Sequence, residues 1–321
     1  MSNTFITKIH IGKVRHLHKI EIGLSDANCT HLVLTGKNGS GKTSLLEAIR
    51  DKVIYEQSGI KPDGTRILRP STLKNPDIEI NCSREIENFS NYVFAFISAR
   101  RTETILPKSI EVVEIPDKAK ISRNVSRQFL KYILNLDYRL YGAKSDANDK
   151  LEAKLEKWFD DFLTALRNIY SCPELKIQRD TKNLSFKVNM PGREPFALHE
   201  MSDGYAAVLE ILMELLMRFD DAEAVVEYNK SAIVLIDEIE AHLHVELQKR
   251  ILPFLTHMFP NVQFIVSTHS PFVINSLENA VVYDLEKRER LEKPNIYSYE
   301  AVVEGYLDVG QYSNEVKQKF N

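Results

Sequence analysis

Cysteine is scarce in this 321-residue chain, and long apolar runs are missing from it. The three cysteines, Cys29, Cys82 and Cys172, are far apart and have no Cys-x-x-Cys or Cys/His spacing, which excludes a disulfide framework and a zinc finger. No uncharged apolar run approaches the roughly 18 residues that span a bilayer, and the N-terminus lacks the apolar core of a signal peptide. We therefore predict reduced, mostly buried thiols and a cytoplasmic protein with no membrane segment.

A strong overall charge is also absent, because 42 Lys and Arg stand against 45 Asp and Glu. This balance gives no global sign of nucleic-acid binding. The charges are uneven, however: residues 117–145 are mainly basic, and residues 202–246 are mainly acidic. Five basic side chains lie at near-helical spacing: Lys118, Lys120, Arg123, Arg127 and Lys131. They either contact DNA or RNA phosphates or form a solvated helix face, and the sequence leaves both interpretations open.

A glycine-rich stretch follows the apolar residues 31–34 and precedes a helix-like segment. Residues 36–43 read Gly-x-x-x-x-Gly-Lys-Thr, the pattern of a phosphate-binding loop between a strand and a helix. The backbone N–H groups of such a loop surround the phosphates, its lysine lies on the β- and γ-phosphates, and its threonine binds Mg²⁺. The sequence thus predicts a site for a nucleoside triphosphate and Mg²⁺. The predicted binding residues are Gly36, Asn38, Gly39, Ser40, Gly41, Lys42, Thr43 and Ser44, of which Lys42 is also catalytic and Thr43 a metal ligand.

Short apolar segments recur along the chain in an order that predicts an α/β fold. Alternating stretches within residues 4–35 indicate a small antiparallel sheet before the phosphate loop. Apolar strands at about 92–97, 231–236 and 262–267 are separated by helix-like segments. This alternation favours a central, largely parallel sheet.

The middle of the chain is predicted to be helical over residues 120–170. One apolar stripe runs along it at three- and four-residue spacing: Leu151, Leu155, Trp158, Phe159, Phe162, Leu166 and Ile169. We interpret the stripe as an ordinary packed helix face, and Tyr132, Tyr138 and Tyr141 as packing residues. A hairpin is predicted at 175–178 and 184–188.

Acidic and polar side chains come directly after two of the buried strands. Asp237 and Glu238 follow the strand at 231–236, where one acid can orient Mg²⁺ and the other can activate the attacking water. His269 follows the next strand and can polarise the γ-phosphate. Ser202 and Gly204 stand at a predicted helix start, which either binds an anion or is a plain N-cap turn.

These four motifs, in this order, resemble the ATP-binding-cassette (ABC) ATPases over about residues 5–280. The resemblance implies an ABC-ATPase head with a central largely parallel sheet, an N-terminal antiparallel β subdomain and a helical insertion. It implies that two heads form a homodimer, or a higher even oligomer, with each ATP between them. Ser202 and Gly204 would then contact the partner's γ-phosphate, Glu238 would be the general base, Asp237 would bind Mg²⁺ and His269 would be the switch histidine.

The spacing of 35 residues from Ser202 to Asp237 resembles the RecF, SMC and OLD-like branch of that family rather than membrane transporters. Within this branch the motifs are similar to stand-alone ATPases of bacterial anti-phage defence, of the Septu-like or retron-associated kind. That resemblance implies a separate effector, an HNH-type nuclease. The alternatives are a RecF-like DNA-binding ATPase of repair or replication and a non-hydrolysing ATP-dependent scaffold. Only 52 residues follow His269, too few for the Toprim domain of OLD nucleases, so we predict no nuclease activity in this chain.

Four segments are predicted from the motifs: residues 1–104, the N-terminal part of the head; 105–195, a helical insertion or lid with the hairpin; 196–285, the C-terminal part of the head; and 286–321, an extension. No clear glutamine marks the loop that usually completes Mg²⁺ coordination. Arg100 and Arg101 lie where that loop is expected, and they either reach a phosphate or are solvated.

Overall fold

The computed structural model describes residues 4–57, 75–83, 93–99, 129–180, 185–219 and 231–292. Its strands are β1 (Ile6–Val14), β2 (Leu17–Gly23), β3 (His31–Thr35), β4 (Asp77–Cys82), β5 (Val93–Ile97), β6 (Lys176–Asp180), β7 (Ser185–Asn189), β8 (Phe196–Ala197), β9 (Ala232–Ile236), β10 (Val262–Ser267), β11 (Ala280–Asp284) and β12 (Glu289–Glu292). Its helices are α1 (Lys42–Gln57), α2 (Phe129–Ser145), α3 (Asp149–Tyr170), α4 (Asp203–Phe219), α5 (Val245–Met258) and α6 (Pro271–Ile274).

The central sheet has six strands in the order β12-β11-β3-β10-β9-β5. All neighbouring pairs are parallel except β11 and β12, which form an antiparallel edge. Strands β3, β9 and β10 are buried along their whole length, as expected for a parallel sheet covered on both faces. The predicted α/β fold with a largely parallel central sheet is therefore confirmed.

Alternate residues of these strands point into two separate cores. On one face, Leu32 and Leu34 pack with α1 and the N-terminal sheet. On the other face, Val33 packs with the helices that follow β5. Successive side chains of a strand point to opposite faces of the sheet, so the two cores lie on opposite faces of the central sheet. The molecule therefore has three layers: the N-terminal sheet with α1, the central sheet, and the helices that follow β5.

The predicted N-terminal antiparallel sheet is present in the order β2-β1-β4. One fully buried side chain, Gln263 of β10, ties it to the central sheet. Its Oε1 accepts the backbone N–H of Ile6 at 2.7 Å, and its Nε2 donates to the carbonyls of Ile6 at 2.9 Å and Thr30 at 2.8 Å. The amide thereby satisfies its polar groups inside the protein.

In its described part, the helical insertion consists of two helices, α2 and α3. Helix α3 begins after Asn148, whose side chain accepts the backbone N–H of Leu151, and this cap separates it from α2. The apolar stripe lies on α3, with Trp158 and Phe162 stacked in the core. It is a packed helix face, as predicted.

The prediction for the tyrosines of α2 is only partly right. Tyr132 is buried, whereas Tyr138 and Tyr141 are 78% and 71% exposed. Positions 138 and 141 are three residues apart, so they share the face of α2 that points away from α3 and the core. Spacing alone did not distinguish this face from the packed one.

The predicted hairpin is formed by β6 and β7, and β8 extends it to a three-stranded sheet. Cys29, Cys82 and Cys172 are free and partly exposed rather than mostly buried. Of the basic cluster, only Lys131 lies in the described chain; Lys118, Lys120, Arg123 and Arg127, and likewise Arg100 and Arg101, lie outside the described residues. No helix in the described part of the chain combines the length and the apolar character needed to cross a bilayer.

Candidate functional site

The phosphate loop connects β3 to α1, at the carboxyl edge of the parallel sheet. Gly36, Gly39 and Gly41 have positive φ values of 130°, 85° and 101°, a region that favours glycine. Lys42 is the first residue of α1 and is buried, and its ammonium donates to the carbonyls of Gly36 at 2.8 Å and Lys37 at 3.1 Å. The sequence therefore folds into the predicted loop. The side chain of Lys42 bends back so that its ammonium lies against the carbonyls at the start of the loop.

Burial lowers the pKa of Lys42, while nearby carboxylates, led by Glu238 and Asp237, act in the opposite direction. The buried hydroxyl of Ser40 has no hydrogen-bond partner among the described residues. An unpaired buried hydroxyl and a lysine on loop carbonyls are groups that phosphate oxygens can satisfy. The loop therefore fits a phosphate chain.

The turn between β1 and β2 covers one side of the phosphate loop. The sequence did not predict this contact. A Cβ placed on Gly41 would come within 3.0 Å of Leu17 and 3.2 Å of His16. A larger residue at position 41 would therefore meet a backbone strained at positive φ and a side-chain clash together.

The two predicted Mg²⁺ ligands are brought together across 194 residues of sequence. Thr43 donates its hydroxyl to Asp237, with Oγ1 to Oδ2 and Oδ1 distances of 2.9 and 3.2 Å. Asp237 is buried at the end of β9, and its backbone N–H is held by the carbonyl of Ile97 at the end of β5. A hydroxyl beside a carboxylate is the hard-oxygen donor set that Mg²⁺ takes next to nucleotide phosphates, so these residues fit the ion.

Glu238, the predicted general base, follows Asp237 in a left-handed conformation with φ of 45°. Such a conformation is uncommon for a residue with a side chain and is retained where surrounding contacts fix it. Here the backbone N–H of Glu238 donates to the hydroxyl of Ser267 at 2.7 Å. Ser267 was not predicted as a site residue.

His269, the predicted switch histidine, leaves β10 beside the same turn. Its backbone N–H donates to Oε1 of Glu240 at 2.6 Å. Burial lowers the pKa of the imidazole and the charge of Lys42 lowers it further, while the carboxylates of Glu240, Glu238 and Asp237 oppose both effects. The charges of Lys42 and of all three acids therefore act on His269. The net effect is a lowered pKa, which favours the neutral imidazole.

Glu240 is a further acid of the site that the sequence did not single out. Its second oxygen, Oε2, is buried and has no hydrogen-bond partner in the described part of the chain. The only sequence signal for it was its position two residues after the Asp-Glu pair. Through Oε1, Glu240 holds the backbone of the loop that carries His269, and its charge also acts on Lys42.

Ser202 and Gly204 lie at the start of α4, beside the segment that contains His242 and His244. Ser202 is exposed, and its carbonyl accepts the N–H of Ala206 in the first helical turn. We call residues 237–240 the acidic turn. A Cβ on Gly204 would lie 3.0 Å from the carbonyl oxygen of His242, which follows this turn. The glycine therefore permits close packing of α4 on that segment.

The fold and the site together define a P-loop nucleotide-binding domain with an ABC-type head architecture. The structure is similar to the SMC head bound to the C-winged helix domain of ScpA, with a TM-score of 0.50 and 15% identity over 91% of this chain and 100% of that chain. At this identity the likeness shows the fold alone. It confirms the predicted head architecture.

The chain belongs to the family described as "AAA domain, putative AbiEii toxin, Type IV TA system", which matches residues 32–275. It is 26% identical to Septu protein PtuA of Bacillus mycoides (strain KBAB4), over 89% of this chain and 41% of that protein. It is 29% identical to the Retron Ec83 probable ATPase of Escherichia coli, over 73% of this chain and 43% of that protein. A third relative, the Retron Vc95 probable ATPase of Vibrio cholerae serotype O1 biovar El Tor, is 25% identical over 57% of this chain and 39% of that protein.

These relatives confirm the resemblance to ATPases of Septu and retron systems. The chain spans about two fifths of the length of these curated relatives.

Proposed function

We propose that this protein binds ATP with Mg²⁺ and hydrolyses it. The observation that carries the proposal is the convergence of Lys42, Thr43 and Asp237 at the carboxyl ends of β3 and β9. P-loop ATPases use a lysine of the phosphate loop to bind the phosphates and a neighbouring Thr–Asp pair to bind the metal ion. When bound, Mg²⁺ supplies charge neutralisation on the β- and γ-phosphates.

Glu238 is the residue proposed to orient the attacking water and accept its proton. It follows the metal-binding acid directly and is half-buried. The neutral imidazole of His269 can donate a hydrogen bond to a γ-phosphate oxygen. General-base assistance of this kind contributes typically 10²- to 10⁴-fold to a rate.

The exposed Ser202 at the start of α4 supports the further proposal that two chains enclose ATP between them. On this proposal the hydroxyl of Ser202 and the backbone of the half-buried Gly204 face the nucleotide of a second copy. A helix N-terminus stabilises phosphate through its free N–H groups and dipole. On this proposal the complete site forms only in a homodimer or a higher even oligomer.

We also propose that the ATPase regulates a separately encoded effector, of the HNH-type nuclease class, in anti-phage defence. The relatives named Septu protein PtuA and retron probable ATPases support this assignment. DNA or RNA contact through the basic segment near 117–145 is the competing proposal. Partner recovery from the native cell with ATP present distinguishes the two.

The test of the ATPase proposal compares three variants with the wild type. Glu238→Gln should bind ATP with unchanged affinity, lose at least about 100-fold in hydrolysis, and accumulate as an ATP-bound dimer, because the water-activating carboxylate is removed while the phosphate loop is intact. Lys42→Ala should lose ATP affinity. The matched control, Glu246→Gln, changes an exposed acid on α5 and should hydrolyse at the wild-type rate.

Phosphate release, nucleotide affinity and mass by light scattering are the measurements. Wild-type protein that releases no phosphate from ATP would disprove the proposed hydrolysis, and wild-type protein without ATP affinity would disprove the proposed binding as well. Glu238→Gln that stays monomeric with ATP would disprove the dimer alone.

A further inference from the structure

Ser267, the last residue of β10, bonds to three consecutive residues of the acidic turn. Its hydroxyl donates to Oδ1 of Asp237 at 2.6 Å, and the same oxygen accepts the backbone N–H of Glu238 at 2.7 Å. Its carbonyl accepts the backbone N–H of Ile239 at 3.1 Å. The residue is fully buried, so solvent does not compete for these bonds.

The direction of each bond follows from the chemistry of the partners. The N–H of Glu238 can only donate, so it must use a lone pair of the Ser267 oxygen. The hydroxyl proton of Ser267 is then directed to the carboxylate of Asp237, which only accepts when ionised. One hydroxyl thereby fixes both the carboxylate of the metal-binding acid and the backbone of the catalytic acid.

The neighbouring hydroxyl cannot replace it. Thr268 is also fully buried, but its Oγ1 accepts the backbone N–H of Ser270 at 2.9 Å, within its own loop. The backbone N–H of Thr268 donates to the carbonyl of Leu34 in β3. Ser267 is thus the side chain that joins β10 to the acidic turn.

We propose that Ser267 is a positioning residue of the ATPase site, which orients Asp237 toward the metal and holds Glu238 in its left-handed conformation. The proposal rests on the proposed ATPase function. Ser267 contacts neither nucleotide nor metal itself and acts through the two acids. Partners of this kind behind a metal ligand typically contribute 10- to 100-fold to metal affinity or activity.

The test uses Ser267→Ala, Ser267→Thr and Ser276→Ala in the full chain. Ser276→Ala is the matched control, because it removes a half-buried serine hydroxyl that lies outside the site and donates to the carbonyl of Val273. Four quantities are measured: the melting temperature, ATP affinity without metal, Mn²⁺ affinity of the ATP complex by electron paramagnetic resonance, and kcat with its dependence on Mg²⁺.

For Ser267→Ala we expect Mn²⁺ affinity to fall about 5-fold or more and kcat to fall about 10- to 100-fold. ATP affinity without metal should stay within about 2-fold, because the Lys42 loop is intact. Ser267→Thr keeps the hydroxyl and should recover at least part of both losses. Ser276→Ala should match the wild type in all four measurements.

Two results would overturn the proposal. Wild-type Mn²⁺ affinity and kcat in Ser267→Ala would show that the hydroxyl positions nothing. A loss of metal-free ATP affinity in step with the melting temperature would show a role in folding alone. If the wild type hydrolyses no ATP, the proposed function fails, and the Mn²⁺ measurement still decides the role of Ser267.

Discussion

At the scale of single residues, His31 shows how burial fixes a protonation state. This histidine starts β3, is buried, and accepts the backbone N–H of Phe264 through Nδ1 at 3.1 Å. An accepting nitrogen cannot carry a proton, so the ring is neutral with its proton on Nε2. Burial lowers the pKa of His31 from 6.5 to about 4.

The lowered pKa of His31 predicts a loss of stability in mild acid. Between pH 6.5 and pH 4 the unfolded chain binds a proton at His31 that the folded chain does not, so the stability present above pH 6.5 falls as the pH falls. Between pH 7.5 and pH 5.0 this group should cost about 2 kcal/mol of unfolding free energy.

Replacing His31 by Asn tests this prediction, because the Asn side-chain oxygen can accept the same N–H and does not titrate. In denaturant unfolding, His31→Asn should lose about 2 kcal/mol less than the wild type between those two pH values. Equal losses in both proteins would show that other groups cause the acid sensitivity.

Sequence patterns predicted the residues of the phosphate loop and the acidic turn, since each stands at a fixed offset within a recognisable motif. They did not predict Ser267 or Glu240. A serine at a strand end and a third acid in a turn have no distinguishing pattern, and their roles depend on which strand lies beside them. Only the order β9-β10 in the sheet places Ser267 against Glu238.

At the scale of elements, one buried side chain adds hydrogen bonds to the apolar packing between the two sheets. Gln263 bonds with the N–H and the carbonyl of Ile6 and with the carbonyl of Thr30. These backbone groups are at the packed junction of β1, β3 and β10, where a lost partner is not replaced by water.

Gln263→Leu should therefore destabilise the protein strongly. The substitution leaves one buried N–H and two buried carbonyls without a side-chain partner, and we expect a loss of about 3 kcal/mol or more in unfolding free energy. The control Gln178→Leu removes an exposed amide on β6 that bonds only to Asn189 in the described residues, and should change stability by less than about 0.5 kcal/mol. Denaturant midpoints of the two variants are the measurement, and equal midpoints would contradict the prediction.

Strands β3, β5, β9 and β10 of the central sheet were predictable, because buried parallel strands are continuous apolar runs. Helix α1 was predictable because it follows a phosphate loop. The break between α2 and α3 was not predictable, because the sequences of both helices are helix-like. The cap that separates them is a single residue, Asn148. The edge pair β11 and β12 was also missed, and β12 extends the central sheet beyond residue 285.

At the scale of the whole molecule, the arrangement proposed for hydrolysis takes residues from two chains. The phosphate loop and the acids converge within one chain, and Ser202 is exposed at the start of α4. The proposed second copy would supply this helix start to the nucleotide.

Ser202→Arg should block turnover without removing nucleotide affinity. The long cationic side chain occupies the face proposed to meet the partner's ATP, so in a Glu238→Gln background the ATP-dependent dimer should disappear. Ser145→Arg, at an exposed position on α2, is the matched control and should still dimerise. Light scattering and fluorescent-nucleotide titration measure the two properties, and loss of ATP affinity in Ser202→Arg would place Ser202 in the site of its own chain.

The position of β3 between β10 and β11 has a consequence for protein synthesis. The strand that carries the phosphate loop is synthesised before both of its sheet neighbours, which are encoded more than 220 residues later. At about 5–20 residues per second, the apolar strand waits roughly 10–50 s for them. A chain interrupted before β10 lacks Ser267 and His269, so it cannot form the proposed site. It also lacks both sheet neighbours of β3, and the unpaired apolar strand of such a fragment could bind chaperones.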